Sequence, residues 1–205
     1  MVNHGELPWL APSELGPDAS AVYHSITGGP RAAGPQHFRL LNSDGRLEGP
    51  FNAMVVAPSI GGPLQELGSA IRYRTLFTDR AREVAILTLA AESASDFEWY
   101  AHEPIARACG ISDADIRDIR QGKEPAGLDQ TELLILRVTR SLVTERDVTP
   151  LLAEQCQTVL GPAGFVELVV LVGYYQTLDL TLRVFQTPLP EGVDRPFKGV
   201  GSGGH

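Results

Sequence analysis

The chain has 205 residues, 43% of them hydrophobic and 20% charged. Those proportions belong to a folded globular protein and exclude a disordered, collagenous or low-complexity chain. With 17 basic against 25 acidic residues the net charge is −8, so no general field attracts nucleic acid, and an anionic ligand must be met by a few local arginines.

Two cysteines, Cys109 and Cys156, show no CxxC spacing and are too few for a disulfide framework. The first twenty residues lack a basic start followed by an apolar core, which predicts no signal peptide. The most apolar run, 165–175, contains Glu167 and is short of the ~20 residues of a membrane span. A cytoplasmic protein with no membrane partner is expected.

Turn signals crowd the first 62 residues: Gly28-Gly29-Pro30, Gly34-Pro35, Asp44-Gly45, Gly49-Pro50 and Gly61-Gly62. Short helices fit around 20–27 and 52–57, but 1–62 reads as a loop-rich arm packed on the rest. From Pro63 the spacing turns helical, with Leu64, Leu67, Ala70 and Ile71 on one stripe. Asp79 is the expected N-cap of a helix over 80–92, whose Val84, Ile86, Leu87 and Leu89 point to nearly every side and predict a central, buried element. Ser93 or Ser95 opens a third helix to Cys109, where Gly110 supplies a left-handed stop. Ser112 with Asp115 starts a short helix ending near Gly122. Asp129 precedes another helix, and Thr149-Pro150 caps the next, which ends at Gly161-Pro162 before a last long helix over about 163–185. No neighbouring runs alternate long enough to build a sheet. The reading is all-α, with a helical domain over 63–187 and an extended or disordered tail over 188–205.

Chemistry concentrates in residues 79–110, DRAREVAILTLAAESASDFEWYAHEPIARACG. Glu98 and His102 are four apart and share a helix face that Ile105 and Cys109 continue as apolar surface. A carboxylate beside an imidazole in apolar surroundings can act as a general acid–base couple. The same spacing also occurs as a plain ion pair on solvated surfaces. Glu83 stands one turn into an apolar helix, where it is costly unless paired, with Arg80 or Arg82 as local partners. Phe97, Trp99 and Tyr100 serve as core packing or as ligand walls, and Pro104 should kink the helix beside His102. The five histidines show no metal-binding spacing, and one Glu–His pair falls short of the three ligands of a catalytic zinc, so neither metal nor cofactor is expected. No glycine-rich phosphate loop follows a strand.

This stretch resembles the carboxymuconolactone decarboxylase family, which includes the alkyl hydroperoxidase D proteins. Redox members carry the pattern E-x11-C-x2-C-x3-H. Here the frame reads Glu83, Ser95, Glu98 and His102, with both cysteine positions replaced. The form Glu98-Trp99-Tyr100-Ala101-His102 is similar to the non-redox, decarboxylase-like branch. RAREVAIL (80–87), GPFNAM (49–54) and VGYYQTLDLTLRVFQTPLP (172–190) extend the resemblance over about 45–190.

The resemblance implies an alkyl hydroperoxidase D-like helical bundle that assembles as a homo-oligomer, a trimer or a hexamer. It also implies that thiol peroxidase chemistry is lost, since neither thiol stands in the motif. The expected activity is a cofactor-free acid–base lyase, decarboxylase-like, on a small cyclic carboxylate or lactone. His102 would be the proton donor and acceptor, oriented by Glu98 and Glu83. Arg72 or Arg74 would bind the substrate carboxylate, with Asn52 at the mouth and Trp99 as a further contact. The alternatives are a dehydratase, isomerase or cyclase on a larger natural product, or a non-catalytic oligomeric binding protein. Retention of two carboxylates and an imidazole in register argues against the last.

Overall fold

Nine α-helices carry nearly all the regular structure of the computed structural model, which describes residues 2–29 and 37–197. Contacts group the chain into two units, Met1–Arg74 with Thr177–Asp194, and Thr75–Gln176 with Arg195–His205. The division falls after Arg74, not at the 62/63 junction that the turn signals suggested. The expected turn at Gly34-Pro35 and the end of the tail, 198–205, lie outside the described residues.

The first unit opens with two short antiparallel strands, β1 (Asn3–His4) and β2 (Leu7–Pro8), which sequence periodicity was too brief to reveal. Helices α1 (Pro17–Thr27), α2 (Pro50–Val56) and α3 (Pro58–Tyr73) follow and pack against one another in every pairing. Each begins with proline in its first turn, where the missing N–H costs no intrahelical bond. α3 starts five residues before the expected Pro63 and runs through it, forgoing only the bond to the Ser59 carbonyl. Ile26, Leu47, Met54, Val55 and Ile71 are buried at 3% exposure or less. The N-terminal segment therefore has a core of its own and is more than an arm.

The second unit is built around α4 (Asp79–Glu92), whose residues 81–90 are all buried. It packs on α5 (Asp96–Ala108), α6 (Asp113–Arg120) and α7 (Gln130–Thr144). An apolar run on all sides is the sequence's instruction for such a central position. The cap of α4 is Thr78, whose side chain accepts the Ala81 N–H, and not Asp79, which is already the first helical residue. α5 follows after Ser95 and contains Pro104; Gly110, at φ 84°, takes the left-handed conformation that ends it. Ser112 caps α6, and Asp129 with Glu132 forms a complete capping box on α7. α8 (Pro150–Val159) is capped by Thr149.

The last helix, α9 (Gly161–Val184), begins in the second unit and ends in the first. Its 24 residues have mean hydropathy 1.3 in the most apolar window, enough by length and composition to cross a membrane. The last long helix expected over about 163–185 is therefore present, and 39% of its most apolar window is buried. Leu168, Leu171, Val172, Leu178 and Leu182 lie on its buried side, while Val166, Val169, Val170, Leu180 and Val184 are exposed.

Candidate active site

The site lies within the second unit, where α4 and α5 run side by side. α4 places Glu83 one turn from its start, and α5 presents Glu98 and His102 on one face. All three are buried, Glu83 completely, Glu98 at 2% and His102 at 5% exposure. Such burial is expensive for ionisable groups unless they meet one another.

They do. His102 Nδ1 is 2.7 Å from Glu83 Oε2. On its other edge, His102 Nε2 is 3.6 Å from Glu98 Oε2, beyond hydrogen-bond reach. The two carboxylates thus flank opposite edges of one ring, with unequal roles. Glu83, not Glu98, is the close partner that orients the imidazole, which exchanges the emphasis placed on the i,i+4 pair from spacing alone. The reason is geometric: adjacent helices bring Glu83 and His102 face to face, whereas a pair on one helix reaches sideways.

A carboxylate can only accept, which makes Nδ1 the donor in this contact and leaves the lone pair of the neutral ring on Nε2, facing Glu98. Arg82 Nε stands 3.6 Å from Glu83 Oε1, and its other nitrogen donates to Asp79 Oδ1 at 2.8 Å. Arg80 turns away to Glu132, at 2.7 Å.

Tyr175 is the neighbour that sequence reasoning did not single out. Its ring meets His102 edge-on, with centroids 5.2 Å apart at 86°, and Tyr174 packs edge-on against it. Only the tyrosine doublet following an apolar run hinted at it. Trp99, expected as a substrate contact, is 1% exposed and packs in the core, with Phe197 at 5.4 Å and the Arg120 guanidinium at 5.8 Å. One position along the helix from Glu98 turns a side chain by about 100°, which puts it on the core side.

The remaining expected contacts belong to the first unit. Asn52 is buried and donates to the Pro8 carbonyl at 3.0 Å. Arg72 lies in the last turn of α3, 5.8 Å over the Tyr73 ring, and Arg74 is the exposed C-cap residue. Ser95 is buried at the N-cap position of α5, so both replaced cysteine positions fall in its first turn. Among the described residues neither cysteine forms a disulfide: Cys156 is fully buried, and Cys109 is partly exposed because it lies past the last turn of α5. Burial pushes the Cys156 thiol above its ordinary pKa. Among the described residues no cluster of three or more His, Cys, Asp or Glu could hold a metal.

No protein-family model and no curated protein sequence matches the chain. Solved structures do. An alkylhydroperoxidase AhpD core protein from Ralstonia eutropha JMP134, peroxidase-related, superposes with TM-score 0.72 at 10% identity, covering 93% of this chain and 95% of that one. The debrominase Bmp8 in complex with 2,3,4-tribromopyrrole gives 0.69 at 9% identity over 93% and 94%. A protein of unknown function from Agrobacterium tumefaciens, linked to AhpD antioxidant defence, gives 0.62 at 16% identity over 70% and 97%. At these identities the likeness establishes architecture and leaves activity open. The chain has the all-α, alkyl hydroperoxidase D-like fold.

Proposed function

We propose that this protein is a cofactor-free acid–base enzyme, decarboxylase-like, acting on a small cyclic carboxylate or lactone. The observation that carries the reading is the buried Glu83–His102 contact at 2.7 Å, with Nε2 left facing Glu98. A ring held at Nδ1 by a carboxylate is a positioned base in one protonation state and a positioned acid in the other. The neighbouring fold that accepts tribromopyrrole supports a scaffold suited to a small planar ring.

In the proposed reaction the substrate carboxylate leaves as CO2, and the bonding pair moves into the conjugated carbonyl as a dienolate. His102, doubly protonated, then delivers the Nε2 proton to carbon and is reprotonated from solvent. Glu83 stabilises the imidazolium that precedes transfer, and Glu98, beside Nε2, adds to that stabilisation. The cysteines take no part, so the protein is not a thiol peroxidase. We further propose that it works as a homo-oligomer, through the apolar stripe of α9.

The test is turnover of a panel of cyclic carboxylates and lactones in deuterated water, followed by mass spectrometry and NMR. Loss of CO2 with one deuterium on the product carbon, abolished by His102→Ala, is the expected outcome. Turnover without loss of CO2 would move the reading to a dehydratase, isomerase or cyclase. Saturable binding of panel members without any turnover would establish the binding-protein alternative.

A further inference from the structure

We propose that a cavity floored by His4 and Glu48 is a second ligand site, which binds a small primary ammonium compound carrying an oxygen atom beside the amine. The cavity measures about 670 Å³ and lies wholly within the first unit, whereas the acid–base cluster belongs to the second. That volume is ample for a small molecule.

Its floor is built and buried. His4 and Glu48 are each 2% exposed. The His4 ring stacks on Trp9 with centroids 4.4 Å apart and planes 24° from parallel. Trp9 is fixed in turn by a 2.7 Å hydrogen bond from its indole N–H to the Leu47 carbonyl. The Gly49 N–H donates to His4 Nε2 at 3.2 Å, so the proton of the neutral ring sits on Nδ1. Burial holds that ring neutral, lowering its pKa to about 4.

Two atoms on this floor have no hydrogen-bond partner among the described residues: His4 Nδ1, a donor, and Glu48 Oε2, an acceptor. They cannot satisfy each other. The Glu48 oxygen is 3.7 Å from Nε2, the ring atom whose lone pair is already engaged by Gly49. A buried donor and a buried carboxylate oxygen that are both unmet are uncommon in a native interior and call for an explanation, which an occupant of the adjoining cavity supplies.

The chemistry of the occupant follows from what is missing. Glu48 requires a donor, and an ammonium both donates and compensates the carboxylate's charge, which a neutral hydroxyl does not. His4 Nδ1 requires an acceptor oxygen. Half-buried Trp9, Leu41 and Leu189 supply apolar walls for a hydrocarbon group attached to the same molecule. Arg39 on the rim attracts the Glu48 carboxylate and can also meet a ligand carboxylate. An amino alcohol and an amino acid share the required ammonium and oxygen, and differ only in their use of Arg39.

The probes are phenylalaninol, phenylalanine and phenylpropanol, the last lacking the amine, each titrated into the full chain by calorimetry and NMR. Phenylalaninol or phenylalanine should bind saturably, and phenylpropanol roughly tenfold or more weakly, the loss expected when a buried carboxylate goes unpaired. Tighter phenylalanine, weakened by Arg39→Ala, identifies an amino acid site; tighter phenylalaninol, indifferent to Arg39→Ala, identifies an amino alcohol site. Glu48→Gln should abolish the preference for the amine. Should that variant fail to fold, the comparison of phenylalaninol with phenylpropanol on the wild-type chain decides the matter alone. Equal affinity with and without the amine, or no saturable binding of either amine at millimolar concentration, overturns the proposal.

Discussion

His102 can serve as a relay only if its ring is held at one nitrogen and free at the other, and the two glutamates meet those conditions unequally. With Glu83 at 2.7 Å and Glu98 at 3.6 Å, the substitutions should separate. On the true substrate, His102→Ala should lower kcat by roughly 10²–10⁴-fold with the fold retained. Glu83→Gln should approach that loss, because it removes the negative charge that stabilises the imidazolium from which Nε2 delivers its proton. Glu98→Gln keeps an acceptor beside Nε2 and should cost less. The double variant His102→Ala/Glu83→Gln should be little slower than His102→Ala alone, since the residues act as one unit. Steady-state kinetics with circular dichroism on each variant checks all four, and an unchanged kcat in His102→Ala would remove the pair from the mechanism. The register Glu83, Glu98, His102 was legible in sequence because helix spacing is rigid. The ranking of the two glutamates was not, because it depends on how closely α4 and α5 approach.

A second titrating group belongs at this scale. Burial lowers the His4 pKa from 6.5 to about 4, so the unfolded chain binds the extra proton at a pH where the folded chain does not. Stability from this group is complete above pH 6.5 and is lost as pH falls toward 4. Glu48 beside it runs the opposite way: burial raises its pKa, so it favours folding at low pH and opposes it as pH climbs through the raised value. The urea midpoint at about pH 7.5 minus that at about pH 5 should be more positive in the wild type than in His4→Phe. Equal separation in the two proteins would show that His4 does not titrate between folded and unfolded states.

Elements are positioned by a few backbone approaches that side-chain patterns do not reveal. Gly61 and Gly62 look alike in sequence, as turn punctuation, yet both lie within the first turns of α3. A Cβ on Gly61 would fall onto the backbone carbonyl of Met54 in α2, which cannot yield as a flexible side chain could. A Cβ on Gly62 would meet only Val22 Cγ2 at 3.6 Å, an ordinary contact. Gly61→Ala should therefore destabilise by about 3 kcal/mol or more, the range of severe core overpacking. Gly62→Ala should be neutral or stabilise by up to about 1 kcal/mol, the helix propensity gain of alanine over glycine. Thermal melts of the two variants side by side give the comparison, and a mild Gly61→Ala would mean that α2 and α3 separate easily. Caps were the most legible part of these elements: Ser112, Asp129 and Thr149 all hold their helix starts as their residue types suggest. The start of α3 was hidden because Pro63 mimics a helix beginning while lying inside one.

At the scale of the whole molecule, α9 poses the largest unsolved burial. Val166, Val169, Val170, Leu180 and Val184 recur at helical spacing along one exposed stripe, and Gly173 and Thr177 continue it without adding charge. Exposed apolar patches commonly serve as interfaces, which supports the proposed homo-oligomer. Its opposite face is already packed, and the helix carries Glu167, bonded to the Leu76 N–H, and buried Asp179. Those carboxylates are costly in a bilayer, which favours a second copy of the chain as the occupant. A closed symmetric assembly through α9 would hide the stripe on every copy at once. Light scattering at micromolar concentration should return a multiple of 22.1 kDa, with a trimer or hexamer expected. Val166→Glu and Val170→Glu, both on exposed positions, should lower that mass while leaving the helical circular dichroism intact. A mass near 22.1 kDa for the wild type, or co-sedimentation of the protein with lipid vesicles, would sink the oligomer reading.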